Sequence, residues 1–287
     1  MKHLAPISLA ALLLSACASS IPDPEPGSPI ADSLAAPETA PAPEAAPVPE
    51  APSAKVAAGG FDYESVFAQD DRPEADYELY PVRKSAEVLM FTGVMPGMTV
   101  VELEAGDGFY TELLSKVVGE AGTVYMQNPA GFAAFLGDAV PKRVNDRLAN
   151  VDIVESNFDN LSAIGDGEAD IVTWFLGPHE LWFTPEGEQA FSFGDPDRTF
   201  PEIARVLKPG GSFIVLDHMA SPGSPATTGN ETHRIDKAII ISMAEAAGFT
   251  LAGESDILAN PDDDGTVGVF DPTMRRKTDR YLLKFTH

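Results

Sequence analysis

Residues 99–126 read TVVELEAGDGFYTELLSKVVGEAGTVYM, and this stretch decides the fold class. The short β-branched run at 99–103 predicts a strand, and two glycines, Gly106 and Gly108, follow it closely. Residues 109–118 then carry apolar side chains at helical spacing, and residues 123–126 form a second predicted strand. A strand, a crossover helix and a second strand make a βαβ unit, so the two strands are expected to run parallel.

The same alternation of strands and helices continues to the end of the chain. Further strands are predicted at 151–154, 169–175, 212–216, 249–254 and 280–285, and further helices at 82–91, 199–207 and 233–247. Seven strands separated by helices predict one α/β domain with a doubly wound, mostly parallel, Rossmann-like sheet. Ligands of such sheets bind beyond the carboxyl ends of the strands, so functional residues are expected on those loops.

A second diagnostic stretch is RVLKPGGSF at residues 205–213. Pro209 ends the preceding helix, and the glycine pair turns the chain into a buried strand. With VELEAGDGFYT at 101–111 and DIVTWF at 170–175, this stretch makes residues 83–284 resemble class I S-adenosylmethionine-dependent methyltransferases. More narrowly, the chain resembles predicted methyltransferases of the bacterial envelope.

The resemblance implies a cofactor, S-adenosylmethionine, and a set of residues to hold it. Glycines suit a loop that must approach the cofactor closely while a helix amino terminus faces the methionyl carboxylate. Glu104 stands at the first glycine of the family's motif and Thr111 stands where a dinucleotide-binding loop has its third glycine. Amides replace the family's acids at the ribose and adenine positions. The implied cofactor-binding residues are Glu102, Gly106, Gly108, Thr111, Asn128, Asn157 and Asp159.

Candidate reacting groups follow the fourth and fifth strands. His179 and Glu180 come after one, and Asp217 and His218 come after the other. Adjacent strands lie about 4.8 Å apart, so these side chains are expected in one neighbourhood. We predict His179, His218 and Asp217 as catalytic residues, with an imidazole accepting a proton from the acceptor and a carboxylate fixing its tautomer.

The same cluster allows two other interpretations. Two histidines and two acids could bind a divalent metal, but no close ligand spacing such as H-x-x-x-H supports one, so no metal is predicted. Either histidine could instead be a loop residue that is hydrogen-bonded to the backbone.

The first sixty residues are expected to direct the protein to the cell envelope. Residues 1–16 have a basic start and a short apolar run, as in a signal peptide, and Leu14-Ser15-Ala16-Cys17 resembles the bacterial lipobox. Cys17 would then carry the lipid that anchors the protein to the membrane. Residues 17–60 are rich in Pro, Ala and Glu and predict a disordered spacer before a single domain at 61–287. Ala18 favours the periplasmic face of the outer membrane over the inner membrane.

The formal net charge of −25 argues against nucleic acid as a partner, because such a field repels phosphate backbones. The Asn/Asp-Pro-Pro-aromatic motif of amino-methylating enzymes is absent after the fourth strand. We therefore expect methyl transfer to a small molecule, at oxygen. Because the cofactor is made in the cytoplasm while the signal exports the chain, a non-catalytic lipoprotein that keeps the fold to bind a ligand or partner is the alternative.

Overall fold

A computed structural model describes residues 60–69, 71–185 and 192–287. The predicted signal peptide, the anchor Cys17 and the spacer up to residue 59 lie outside the described residues. Within the described ranges, no helix combines the length and the apolar character that crossing a membrane requires.

The sheet has seven strands in the order β3-β2-β1-β4-β5-β7-β6, which confirms the predicted fold class. Strands β1 to β5 pair in parallel, and β7 is antiparallel to both β5 and β6. The strands are β1 Thr99–Leu103, β2 Thr123–Asn128, β3 Val151–Glu155, β4 Ala169–Phe175, β5 Leu207–His218, β6 Thr250–Ser255 and β7 Arg280–Thr286.

Helices cover both faces of the sheet over two buried apolar clusters. One cluster lies under α4 and α5, and the other lies under α8 and α10. The helices are α1 Glu64–Phe67, α2 Glu74–Tyr77, α3 Leu79–Arg83, α4 Ser85–Thr92, α5 Phe109–Val118, α6 Ala133–Leu136, α7 Ala139–Val144, α8 Pro196–Val206, α9 Thr228–Thr232 and α10 Lys237–Ala246. Residues Pro178–Trp182 form a 3₁₀ turn after β4.

Three predicted boundaries were wrong, each for a local reason. The helix expected at 82–91 is divided because Lys84 adopts a left-handed conformation with φ of 43°. The helix expected at 233–247 begins only at Lys237, since His233 is also left-handed and the Asp236 carboxylate caps the amide of Ala238 at 2.9 Å. Strand β5 begins at Leu207 rather than at 212, because Leu207 already pairs with β4 ahead of an irregular register.

The strand order places the expected crevice between β1 and β4. The chain runs from β1 outward through β2 and β3, and then crosses to β4 and β5 on the other side of β1. Strands β1 and β4 are neighbours, with Leu103 paired to Trp174 at their carboxyl ends. Loops from both halves of the sheet therefore meet at this switch point, where open α/β sheets bind ligands.

Candidate active site

The loop between β1 and α5 turns sharply on two left-handed glycines. Gly106 has φ of 59° and Gly108 has φ of 86°, while Glu104 is left-handed at 52° despite its side chain. A Cβ added at Gly106 would meet no atom within 4 Å, but at Gly108 it would lie 3.0 Å from Arg143 Cγ and 3.1 Å from Met126 Cε. Gly106 thus borders open space. Packing within the domain requires a glycine at Gly108, and the predicted contact of both glycines with the cofactor stays a prediction.

Glu102 lies buried beneath this loop, with 3 % of its surface exposed. Thr111 Oγ1 donates a hydrogen bond of 2.5 Å to its carboxylate, so these two predicted site residues are in contact. Burial raises the pKa of Glu102 to about 8, against the opposing effect of the Thr111 hydrogen bond. The side chain is therefore largely protonated at neutral pH.

Asn128, at the end of β2, holds the glycine loop with both ends of its amide. Its Oδ1 accepts the backbone N–H of Gly106 at 2.8 Å, and its Nδ2 donates to the carbonyl of Gly106 at 3.0 Å. The preceding Gln127 accepts the N–H of Glu104 at 3.0 Å through Oε1. In this arrangement the Asn128 amide supports the loop. Its predicted contact with the cofactor ribose stays a prediction.

Asn157 and Asp159 lie beyond β3, where the adenine was expected. They line an open pocket together with Asn160 and Arg198. Asn157 Nδ2 donates to the carbonyl of Ser192 at 3.0 Å, and Asp159 is ion-paired with Arg198. The pocket offers amide and carboxylate groups at an edge of the site.

A buried network of charged side chains, missed in the sequence analysis, holds the loop from below. Arg72 donates to the carbonyl of Phe109 at 2.7 Å, and Arg143 Nε donates to the carbonyl of Asp107 at 3.1 Å. Arg72 also forms an ion pair of 2.7 Å with Asp76, and the Asp76 carboxylate forms a second ion pair with Arg143. Although burial opposes ionisation, hydrogen bonds from the two arginines hold the pKa of Asp76 below its usual value.

The predicted reacting groups do come together, with His179 just after β4 and with Asp217 and His218 as the last residues of β5. His179 is 3 % exposed, and its Nδ1 lies 2.8 Å from Asp217 Oδ1. Asp217 also accepts the backbone N–H groups of His179 at 2.8 Å and His218 at 2.7 Å. Burial lowers the pKa of His179, but the carboxylates of Asp217 and Glu180 outweigh it and raise that pKa to about 10.

Two further side chains join His179 on its other face. Glu180 Oε1 lies 3.4 Å from His179 Nε2 and 3.2 Å from His233 Nδ1. The hydrogen bonds and charges of the two histidines overcome burial and lower the pKa of Glu180 to about 2. Glu104, whose Oε2 accepts from Trp174 Nε1 at 3.0 Å, adds a third carboxylate, and burial together with the Glu180 charge raises its pKa.

His218 is in the opposite protonation state to His179. Its Nδ1 bonds to Thr278 Oγ1 at 2.7 Å, and its ring centroid lies 6.0 Å from that of His179. Burial and the positive charge on His179 hold the pKa of His218 well below its usual value. At neutral pH the neutral imidazole able to accept a proton is therefore His218, whereas His179 is already protonated. Groups whose pKa values are pushed apart in this way suit acid–base chemistry.

Comparison with known proteins bears on this site. Residues 101–215 match the profile of a family described as a methyltransferase domain. A ubiquinone/menaquinone biosynthesis C-methyltransferase of Klebsiella pneumoniae is 26 % identical over 201 residues, which cover 67 % of this chain and 72 % of that protein. The corresponding enzyme of Shewanella halifaxensis is 29 % identical over 131 residues, 44 % of each chain.

Solved structures show the same fold. A SAM-dependent methyltransferase from Aquifex aeolicus aligns over 79 % of this chain and 98 % of its own, with a TM-score of 0.51 and 21 % identity. The [4+2]-cyclase SpnF aligns over 76 % of this chain and 84 % of its own, with a TM-score of 0.52 and 18 % identity. Residues 101–215 are therefore similar to a methyltransferase domain, and the described domain has the class I S-adenosylmethionine-dependent methyltransferase fold.

Proposed function

We propose that this domain transfers a methyl group from S-adenosylmethionine to an oxygen of a small hydroxylated molecule. The observation that carries the proposal is a juxtaposition at one edge of the sheet. The loop with Gly106 follows β1, and the His179–Asp217–His218 cluster lies at the carboxyl ends of the adjacent strands β4 and β5. The proposed cofactor loop and a group able to accept a proton thus lie at the same edge of the sheet.

The residues around the loop fit this cofactor. The open face at Gly106 and the amino terminus of α5 suit the methionyl carboxylate, since backbone N–H groups and the helix dipole favour an anion there. The pocket at Asn157 and Asp159 offers polar partners for the adenine end. Glu104 lies between the loop and the turn after β4, where a Cβ added at Gly177 would clash with its carboxylate. When bound, S-adenosylmethionine supplies a methyl group on a positively charged sulfur.

The chain's own residues would handle the acceptor proton. His218 Nδ1 bonds to Thr278 Oγ1 at 2.7 Å; in the tautomer whose Nδ1–H donates to that hydroxyl, Nε2 carries the free lone pair that would take the proton from an acceptor hydroxyl. Asp217 fixes the position of His179 and of the His218 backbone, so it acts as a positioning residue. Methyl transfer otherwise depends on holding the acceptor in line with the cofactor.

Aromatic side chains border the cluster and favour a partly apolar acceptor. The rings of Phe183 and Phe270 lie 4.8 Å and 5.0 Å from that of His233. Phe270 is 68 % exposed, an unusual position for a large apolar side chain. A ring-bearing hydroxylated molecule would cover it while presenting its hydroxyl to the histidines.

Transfer to carbon is the second candidate, favoured by the names of the relatives, which are C-methyltransferases. Both reactions would use the same proton acceptor, because a deprotonated ring hydroxyl makes its own oxygen and a neighbouring ring carbon nucleophilic. We keep the proposal of oxygen because the histidine cluster would bind the hydroxyl itself. The position of the transferred methyl group in the product separates the two reactions.

We further propose that the protein acts as a lipoprotein of the cell envelope, anchored through Cys17 at the periplasmic face of the outer membrane. Support comes from the sequence alone: the short apolar start, the lipobox-like Leu14–Cys17 segment and the proline-rich spacer. The net negative charge of the chain would repel nucleic acid, so we do not propose nucleic acid as a partner.

Two measurements test the proposed function. Calorimetric titration with S-adenosylmethionine and S-adenosylhomocysteine first separates an enzyme from a non-catalytic binding protein, and no heat at millimolar ligand would refute cofactor use. Turnover with methyl-deuterated cofactor and a panel of phenols, read by mass spectrometry and NMR, then locates the transferred methyl group.

We expect His218→Ala to lower turnover by about 10²-fold or more at unchanged cofactor affinity, with His287→Ala as the matched control. Full turnover in His218→Ala would refute the assigned base.

A further inference from the structure

Three side chains from two loops converge beside the proposed reacting centre. His179 and Glu180 lie in the 3₁₀ turn after β4, and His233 ends the short helix α9. We propose that His179 Nε2, the Glu180 carboxylate and His233 Nδ1 form a binding site for one divalent transition-metal ion of the zinc type, which would replace the proton on His179 Nε2. Two imidazoles and one carboxylate are the ligand set of many catalytic zinc sites.

The distances fit a single ion. The Glu180 oxygen lies 3.4 Å from His179 Nε2 and 3.2 Å from His233 Nδ1, and all three ligand atoms lie within 4.8 Å of one another. A tetrahedral ion with bonds of about 2.0–2.1 Å places its ligand atoms about 3.3–3.4 Å apart. Two edges of such a tetrahedron are therefore already formed, and the third pair of ligand atoms lies within 4.8 Å.

Asp217 provides the support that metal-binding histidines require. It bonds His179 Nδ1 at 2.8 Å, which turns Nε2 toward Glu180 and His233. Asp217 is itself fully buried and accepts two backbone N–H groups, so the imidazole cannot easily rotate. A carboxylate that bonds the second nitrogen of a ligand histidine is the usual outer partner in zinc sites.

The charges around the cluster also call for a cation. Among the described residues, the ion-pair partners of Glu180 and Asp217 are histidines, and no lysine or arginine pairs with either. The carboxylates of Asp217 and Glu180 facing two imidazoles give a site whose negative charge a divalent ion would balance.

An ion with three protein ligands keeps one position open for water or substrate. This role rests on the proposed function: the acceptor hydroxyl would bind there beside Phe183 and Phe270, and would lose its proton to His218 Nε2. The resulting oxygen anion forms a bond to the methyl carbon. The bond from that carbon to sulfur breaks, and the sulfur leaves as a neutral thioether.

Metal binding can be tested without turnover. The full chain is treated with a chelator, then titrated with zinc chloride by calorimetry and with cobalt chloride by visible absorption. We expect one ion per chain and cobalt bands typical of four-coordination. Glu180→Gln and His233→Ala should each weaken zinc binding by at least about tenfold, whereas His218→Ala and His287→Ala should keep it. Cooperative melting of each variant verifies that it folds.

Absence of saturable binding at one ion per chain would overturn the site. Equal affinity in Glu180→Gln, His233→Ala and the wild type would overturn it as well, and the second variant decides if the first does not fold. If His218→Ala lost zinc binding while Glu180→Gln and His233→Ala kept it, other residues would be the ligands, and the proposed ligand set would be refuted. A protein that binds zinc through these residues but transfers no methyl group would refute the proposed function while supporting the site.

Discussion

The two glycines of the cofactor loop should respond differently to the same substitution. Gly106→Ala places a side chain in a left-handed conformation but in open space, which costs about 1–2 kcal/mol of folding free energy. Gly108→Ala carries the same strain and also brings its Cβ to 3.0 Å from Arg143 Cγ. Arg143 cannot move away cheaply, because ion pairs to Asp76 and Glu112 hold its guanidinium. Overpacking of this kind adds about 1–3 kcal/mol.

We therefore expect Gly108→Ala to lose about 2–5 kcal/mol and Gly106→Ala about 1–2 kcal/mol of unfolding free energy. For a domain of this size each kcal/mol lowers the melting temperature by about 2–4 °C. Urea unfolding with a shared m-value measures the difference, and calorimetry with S-adenosylhomocysteine measures binding. For each kcal/mol of stability lost, Gly106→Ala should lose more cofactor affinity than Gly108→Ala does. Equal stability of the two variants would refute the packing role assigned to Gly108.

Three other perturbations have defined outcomes. Burial raises the pKa of Glu102 to about 8, so the folded protein favours the protonated side chain and its stability falls as pH rises from about 5 to 9. Urea titrations at several pH values should show a weaker fall in stability for Glu102→Gln, with the charges of Asp107, Arg83 and Arg143, which also act on this site, unchanged. Identical dependence of stability on pH in the variant and the wild type would contradict the assignment. Arg143→Met should cost about 3–5 kcal/mol, because it leaves buried carboxylates without a partner, and a cost below about 1 kcal/mol in urea unfolding would contradict the network. Cys17→Ser should abolish lipid attachment, and mass spectrometry that finds no lipid on the wild type would refute the anchor.

The sheet could be predicted from the sequence because each strand and helix is encoded locally. The helix at 109–118 and the strands at 99–103 and 169–175 have the predicted bounds, since apolar spacing and glycine turns mark them directly. Two of the three boundaries that failed lie at Lys84 and His233, where non-glycine residues adopt left-handed conformations. Side-chain type alone does not indicate such a conformation for lysine or histidine.

The candidate site was predictable only where strand order determines proximity. Adjacent strand ends bring His179, Asp217 and His218 together, as the parallel topology requires. His233 joins them from a loop 54 positions after His179, and no spacing rule connects the two. The protonation states of His179 and His218 could not be predicted from the sequence, because they depend on the folded surroundings. Neighbouring carboxylates raise the pKa of His179, whereas burial lowers the pKa of His218.

The fold by itself does not decide the reaction. The [4+2]-cyclase SpnF has a comparable TM-score to the Aquifex aeolicus methyltransferase, yet its name describes a different chemistry. The crevice of this chain contains an oriented histidine pair and three carboxylates, and an exposed phenylalanine lies close by. Assays should therefore be chosen from those side chains.

The buried arginine network has a consequence for how the protein is shortened for experiments. Arg72 and Asp76 lie well before the first strand and outside the region 101–215 that matches the methyltransferase profile. A chain trimmed to begin at β1 would keep all seven strands but would lose Arg72 and Asp76. The carbonyl of Phe109 would then have no arginine donor, Glu112 would lose its ion pair with Arg72, and Arg143 would lose its ion pair with Asp76. Such a fragment would leave charges uncompensated beneath the loop that is proposed to bind the cofactor. Its failure to bind would say nothing about the intact protein, so expression should start no later than residue 60.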